Sequence, residues 1–239
     1  MADPAPGRDQ APRQSQSLNA IFPPEHAPAP DQIEAGRKLF AGACDFRAGA
    51  ASEAMLPPPT LPEVALAGRS NVGKSSLLNA LTGHRALARV SRTPGRTQQI
   101  NFFDLAGRLM LVDLPGYGYA AAQKRVVANW NRLIEHYLKG RAGLRRVALL
   151  IDARHGIKPA DRRVIALLDE AALSYVAVLT KCDQVKPEAR DRIAAVTLAD
   201  LAKHQAAYPA LYLTSARDGG GIGELRGALA ELAAPHPPR

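Results

Sequence analysis

From about residue 64 to residue 232, short apolar runs alternate with longer segments of helical or mixed pattern. The runs Val64–Ala67, Val147–Ile151, Tyr175–Thr180 and Ala210–Leu213 are nearly continuous in apolar residues, which is the pattern of strands buried on both faces of a sheet. Each is followed by a predicted helix: Ser76–Leu81, Pro159–Ala172, Pro187–Gln205 and Gly223–Leu232. Pro159 and Pro187 stand near helix starts, where a missing N–H costs nothing. Ile100–Leu105 and Leu109–Asp113 flank Ala106-Gly107-Arg108 and read as an antiparallel hairpin. Ala120–Lys139 reads as a helix whose Val127, Trp130, Ile134 and Tyr137 share one apolar stripe, which assigns Trp130 to the core. Upstream, Ile33–Phe40 reads as a short helix and Cys44–Ala48 as an added edge strand, joined to the first buried strand by the stiff Leu56-Pro57-Pro58-Pro59. The pattern predicts an α/β fold: a mostly parallel sheet with one antiparallel strand, helices on both faces and an extra N-terminal strand. In such a sheet a ligand sits at the carboxyl ends of the strands.

Composition sets the boundaries around this region. Residues 1–30 hold seven prolines and almost no large apolar side chain, so they cannot bury enough surface to offset their ordering entropy and are expected to be a disordered tail. Residues 31–62 then form an N-terminal extension, 63–234 the main domain and 235–239 a short tail. No apolar run is long enough to span a bilayer, and the first twenty residues lack a signal-peptide core. Cys44 and Cys182 offer neither metal spacing nor a disulfide framework, which fits a reducing cytoplasm. The net charge is +9, and residues 1–30 are acidic on balance, with Arg8 and Arg13 against Asp3, Asp9 and Glu25. The basic excess of the remainder suits a polyanionic partner, RNA or an anionic membrane surface, and equally suits plain solubility.

Four short stretches carry chemistry. Gly68-Arg69-Ser70-Asn71-Val72-Gly73-Lys74-Ser75 fits G-x-x-x-x-G-K-[ST] and joins a predicted strand to a predicted helix. That context aims several backbone N–H groups and a helix dipole at one phosphate, with Lys74 on the β- and γ-phosphates and the Ser75 hydroxyl on Mg²⁺. Asp113-Leu114-Pro115-Gly116 ends a strand with a carboxylate suited to Mg²⁺ through water, and with a Gly116 N–H suited to the γ-phosphate. Thr180-Lys181-Cys182-Asp183 follows another strand. A carboxylate only accepts hydrogen bonds; guanine presents it with two adjacent donors, whereas adenine would leave it unpaired. Thr214-Ser215-Ala216 can meet the guanine O6 with backbone N–H groups, and Thr97 can give Mg²⁺ a second hydroxyl. The order of these pieces points to GTP and GDP, with loops that order around the γ-phosphate.

Gly-Arg-Ser-Asn-Val-Gly-Lys-Ser-Ser-Leu-Leu-Asn, Thr-Pro-Gly-Arg-Thr-Gln-x-Ile-Asn-Phe-Phe, Asp-Leu-Pro-Gly-Tyr-Gly-Tyr-Ala and Thr-Lys-Cys-Asp together resemble the EngB family of bacterial GTP-binding proteins, within the translation-factor-related P-loop GTPases. The likeness runs from about Cys44 to Leu232. It implies a Ras-like P-loop GTPase domain, a monomer that does not bind DNA, a role in large ribosomal subunit assembly, and a link to cell division and septation. It further implies Ser75 and Thr97 as Mg²⁺ ligands, Lys74, Thr97 and Gly116 as catalytic, and nucleotide contacts from Gly95, Arg96, Thr97, Gln98 and Gln99.

Two features temper the mechanism. Where Ras-like enzymes keep a water-orienting Gln, this chain has Tyr117, and Gln98 and Gln123 stand in other motif positions; unassisted hydrolysis is expected to be slow. Asn71 is expected either to help hold a K⁺ ion beside the phosphates or to close the loop by a hydrogen bond. Arg85, Arg89, Arg92 and Arg96 populate the expected switch loop, and Arg141, Arg145 and Arg146 form a second group; the first group contacts ribosomal RNA or is simply solvated. His155 reads as a loop residue. Two functional readings stand: a GTP-dependent assembly factor on an RNA-rich precursor, or a GTP-gated module for division or membrane-surface partners.

Overall fold

The computed structural model describes residues 28–84, 87, 99–117 and 124–235, side chains excepted over 124–131. Residues 1–27 of the tail expected over 1–30, almost all of the expected switch loop, and the side chains of Val127 and Trp130 therefore lie outside the described residues. In chain order the elements are α1 (Pro30–Phe40), β1 (Cys44–Ala50), a 3₁₀ turn (Glu53–Met55), β2 (Glu63–Gly68), α2 (Lys74–Thr82), β3 (Ile100–Leu105), β4 (Leu109–Asp113) and α3 (Lys124–Gly140). They continue with β5 (Leu144–Asp152), α4 (Pro159–Glu170), β6 (Tyr175–Thr180), a 3₁₀ turn (Cys182–Gln184), α5 (Pro187–Leu201), β7 (Ala207–Leu213) and α6 (Ile222–Ala230).

The seven strands form one sheet in the order β1-β3-β4-β2-β5-β6-β7. Only β3 runs against the rest, antiparallel to both β1 and β4, while β4, β2, β5, β6 and β7 pair in parallel. The expected fold class holds. Every residue of β2 is buried, because its alternate side chains serve opposite faces. Val64 and Leu66 join Leu77, Leu78, Leu225 and Leu229 on the face of α1, α2 and α6. Ala65 and Ala67 join Leu133, Tyr137, Ile165 and Leu168 on the face of α3, α4 and α5.

α1 docks on α6 at a close crossing. A Cβ on Gly36 would stand 2.4 Å from the Gly227 backbone nitrogen, so the two helices touch backbone to backbone. The Gln32 carboxamide hydrogen-bonds Glu231. Arg226 of α6 donates to the Leu81 and Ala80 carbonyls at 2.8 and 2.9 Å, closing the C-terminal end of α2. The expected short helix is thus a fastened part of the sheet's cover, and it begins at Pro30, inside the stretch expected to be tail.

Other boundaries moved for identifiable reasons. α5 ends at Leu201, four residues before the expected Gln205, because the chain turns there and the His204 ring meets Asp169 at 2.6 Å. β7 starts at Ala207 and runs through Pro209; an edge strand with a register irregularity tolerates the missing donor. β1 extends to Ala50 through an irregularity between Phe46 and Ala48.

At the end of β2 remote from the P-loop, Glu63 is 1% exposed. It accepts two parallel bonds from Arg141, 2.6 Å for Nη2 to Oε1 and 2.9 Å for Nε to Oε2, and a third from the Tyr137 hydroxyl at 2.8 Å. Burial, then the Glu63 charge, pushes the Tyr137 hydroxyl well above its usual range, so it remains a donor. Arg146 lies 4.0 Å over the Tyr208 ring. The group expected from Arg141, Arg145 and Arg146 is therefore not one exposed cluster: Arg141 is spent on the core. No helix among the described residues is long and apolar enough to cross a membrane.

Candidate functional site: a nucleotide cradle

β2 delivers the chain into a loop that returns as α2. Asn71 takes the left-handed conformation at φ 63°, and Gly73 reaches φ 106°, a region closed to most side chains. The Ser70 N–H bonds the Tyr117 carbonyl at 2.9 Å and the Tyr117 N–H bonds the Gly68 carbonyl at 3.2 Å, a one-residue parallel bridge between the two loops. Val72 N–H closes onto Arg69. The N–H groups of Asn71, Gly73, Lys74, Ser75 and Ser76 have no carbonyl partner among the described residues. A helix N-terminus with several free donors converging beside it is an anion site.

Lys74, at the head of α2, pairs with Asp113, at the end of β4, and both are nearly buried. Gly116 lies so close to the loop that an added Cβ would stand 3.0 Å from the Ser70 Cα. Lys74, Ser75, Asp113 and Gly116 are thus brought to one place. The residues fit a hydrated Mg²⁺: Asp113 is a buried carboxylate beside the phosphate loop, and such an ion takes most of its ligands from phosphates, hydroxyls and water.

Beside the loop opens a cavity of about 230 Å³, with Gly73, Lys181, Asp183, Thr214, Ala216 and Arg217 in its lining. Asp183 Oδ1 accepts the Ser215 hydroxyl at 2.9 Å. Its Oδ2 is buried and has no hydrogen-bond partner, an acceptor left for a ligand's donors. Thr180 and Lys181 fasten this loop to the phosphate loop: Thr180 Oγ1 donates to the Val72 carbonyl at 2.6 Å, and Lys181 Nζ to the Asn71 carbonyl at 2.6 Å. Lys181 also meets Asp152 Oδ2 at 3.0 Å. Burial works to raise the Asp152 carboxyl, but the hydrogen bonds from Arg154 and Lys181 outweigh it and hold it well below the usual carboxylate range. Cys182 is packed beneath, its thiol pushed up to about 11 chiefly by burial.

Some expected roles narrow. The Thr214 N–H is taken by the Leu179 carbonyl at 2.7 Å and the Ser215 N–H by Gly220 at 2.9 Å, so of that trio Ala216 is the one with an N–H to offer a base, while Ser215 acts through its hydroxyl. The Arg69 side chain turns away to Asp161. The Asn71 side chain is exposed and makes no hydrogen bond among the described residues. Gln99 lies against Gly49 of β1. His155 is exposed in the turn after β5. The expectations on Gly95, Arg96, Thr97 and Gln98, on Arg85, Arg89 and Arg92, and on Gln123 lie outside the described residues. Asp152, Asp161 and Arg217 carried no motif to mark them. Asp161, three residues past Lys158 at a helix start, does show one signal, an acceptor for the Lys158 N–H at 2.8 Å.

A mostly parallel sheet with a phosphate loop at its central strand, and an orphaned carboxylate in an adjoining cavity, defines a P-loop GTPase. A family model described as 50S ribosome-binding GTPase matches residues 63–181. The probable GTP-binding protein EngB of Ruegeria pomeroyi is 54% identical over 211 residues, covering 88% of this chain and 97% of that protein. That of Rhodopseudomonas palustris is 57% identical, covering 85% and 95%. The chain belongs to the EngB family of GTP-binding proteins. Solved structures agree on the fold: a probable GTP-binding protein EngB at TM-score 0.57 and 24% identity, covering 71% of this chain and 97% of that one, and Era in complex with MgGDPNP and part of 16S ribosomal RNA at TM-score 0.56 and 19% identity, covering 75% and 59%.

Proposed function

We propose that this GTPase is a slow nucleotide switch in the cytoplasm whose GTP form binds an RNA-rich precursor of the large ribosomal subunit, and that normal division and septation depend on that step. The unpaired Asp183 oxygen carries the guanine half of the reading. The description of the matching family model supports the ribosomal half, as does the charge of +9. Lys158, Arg163, Lys186 and Arg192 are exposed, and their side chains form no ion pair among the described residues. They join the arginines Arg85, Arg89, Arg92 and Arg96 as groups able to meet RNA phosphates.

Residues 63–234 act as the switch, with 31–62 contributing the added helix and strand. Lys74 and the amides of α2 hold the phosphates, Gly116 meets the γ-phosphate, and Asp183 and Ala216 read the base. Ser75, Thr97 and, through water, Asp113 would hold Mg²⁺, which would supply positive charge to the phosphates. Hydrolysis is slow because the Tyr117 hydroxyl is engaged by Asp161 at 2.8 Å and orients no water. A K⁺ ion beside Asn71 would add cationic charge there; hydrolysis in K⁺ is then expected to exceed that in Na⁺ several-fold, and equal rates in the two salts remove the ion from the scheme.

Co-sedimentation with purified ribosomal subunits, in a non-hydrolysable GTP analogue and in GDP across a salt series, tests the switch. Salt-resistant binding to the large subunit in the GTP state alone is expected. Equal, salt-sensitive binding in both states reports bulk charge and favours the division- or membrane-surface module instead.

A further inference from the structure

Asp161, in the first turn of α4, is completely buried. One of its oxygens accepts the Tyr117 hydroxyl at 2.8 Å. The other accepts the Lys158 backbone N–H at 2.8 Å and faces Arg69 Nε at 3.2 Å. A buried carboxylate is costly unless its oxygens are paired, and here the partners come from three separate segments: the phosphate loop, the residue after Gly116, and the entry to α4. Arg69 Nε and Nη2 are buried without a hydrogen bond, so Asp161 is the counter-charge this guanidinium faces among the described residues. Burial, then the Asp161 charge, drives the Tyr117 hydroxyl far above its usual range, which keeps the proton on the donor.

Tyr117 is thereby held from both ends. Its backbone bridges Gly68 and Ser70 of the phosphate loop, and its ring is anchored in α4. Gly116, the residue just before it, is pressed onto Ser70. We propose that Asp161 is a positioning residue for the GTPase reaction: acting through Tyr117 and Arg69, it keeps the Gly116 N–H where a γ-phosphate needs it, and so sets the affinity for GTP relative to GDP. The proposal rests on the reading that Gly116 meets the γ-phosphate. It also explains the use of a tyrosine in this position, since the side chain serves as an anchor rather than as a guide for water.

The test uses the full chain with Mg²⁺ and titrates fluorescent GDP and a fluorescent non-hydrolysable GTP analogue. Tyr117→Phe removes the hydroxyl and keeps the ring. Asp161→Asn keeps the volume but sets an amide against the Lys158 N–H and Arg69. Each is expected to weaken the GTP analogue about tenfold while changing GDP by less than about twofold, as the loss of one charge-assisted hydrogen bond at a γ-phosphate-dependent contact would. Single-turnover hydrolysis should fall with GTP-state affinity, and the double variant should be no worse than the more impaired single one. Equal losses for both nucleotides would mark a purely structural role and overturn the proposal, as would unchanged affinities. Should Asp161→Asn not fold, Tyr117→Phe decides alone. Gly116→Ala separates the two layers: if it weakens the GTP analogue relative to GDP while Tyr117→Phe does not, the anchor is refuted and the γ-phosphate contact stands; if Gly116→Ala leaves that ratio unchanged, the contact itself is refuted.

Discussion

Asp183→Asn is expected to weaken GDP and GTP binding by at least about a thousandfold and to shift the preference to xanthosine nucleotides. The argument is one of donors and acceptors. In the native chain Asp183 Oδ2 is buried and unpaired, while Oδ1 is steadied by the Ser215 hydroxyl at 2.9 Å. Guanine brings the N1–H and the exocyclic amine, two donors side by side, to this acceptor pair. An asparagine presents one acceptor and one donor, so its NH₂ would confront the guanine amine and leave both unpaired in a confined cavity. Xanthine replaces that amine with a carbonyl, and the pairing is restored. Titration of native and variant protein with guanosine and xanthosine diphosphates reads the exchange. The melting temperature should stay close to native, because Asp183 is not part of either core. A variant that held GDP within about tenfold of native would show that the base is fixed by other groups, the Ala216 N–H or the Lys181 stem.

Most of what positions this site was legible in the residues. The β2 run, the glycine-lysine turn and the helix after it follow from period, conformation and phosphate chemistry, although α2 starts at Lys74, two residues before the expected Ser76. Asp113 and Asp183 were legible because each ends an apolar strand, and in a parallel sheet strand ends are where ligands bind. Contacts between segments distant in the chain left no local trace. Nothing near Asp161 signals Tyr117, 44 positions away, and nothing near Lys181 signals the Asn71 carbonyl, 110 away. The backbone of Thr214 and Ser215 could not be judged from residue types, because whether an N–H is free depends on which carbonyl lies opposite it. Arg141 was misread for the same reason: a lysine- and arginine-rich chain invites a surface assignment, and only the fold places Glu63 in its path.

That pair gives the second large effect. Arg141→Ala is expected to destabilise the chain by roughly 3–5 kcal/mol, the cost of leaving a buried charge without its partner. Glu63 is 1% exposed, and the Arg141 side chain 8%. Without the guanidinium, the carboxylate keeps, among the described residues, the Tyr137 hydroxyl at 2.8 Å and the dry surroundings of Phe102 and Tyr137. At the size of this domain each kcal/mol lowers the melting temperature by about 2–4 °C, so a fall on the order of 10 °C is the reading expected in thermal denaturation, with urea unfolding giving the free energy. Nucleotide affinity should hardly move, since Glu63 opens β2 and the phosphate loop follows its other end, roughly 17 Å along the strand at 3.3 Å per residue. Replacing both partners together, Glu63→Leu with Arg141→Met, removes the stranded charge and should recover much of the loss. If Arg141→Ala instead unfolds like the native chain, Glu63 has found water or a proton, and the base of α3 is held by its apolar stripe alone.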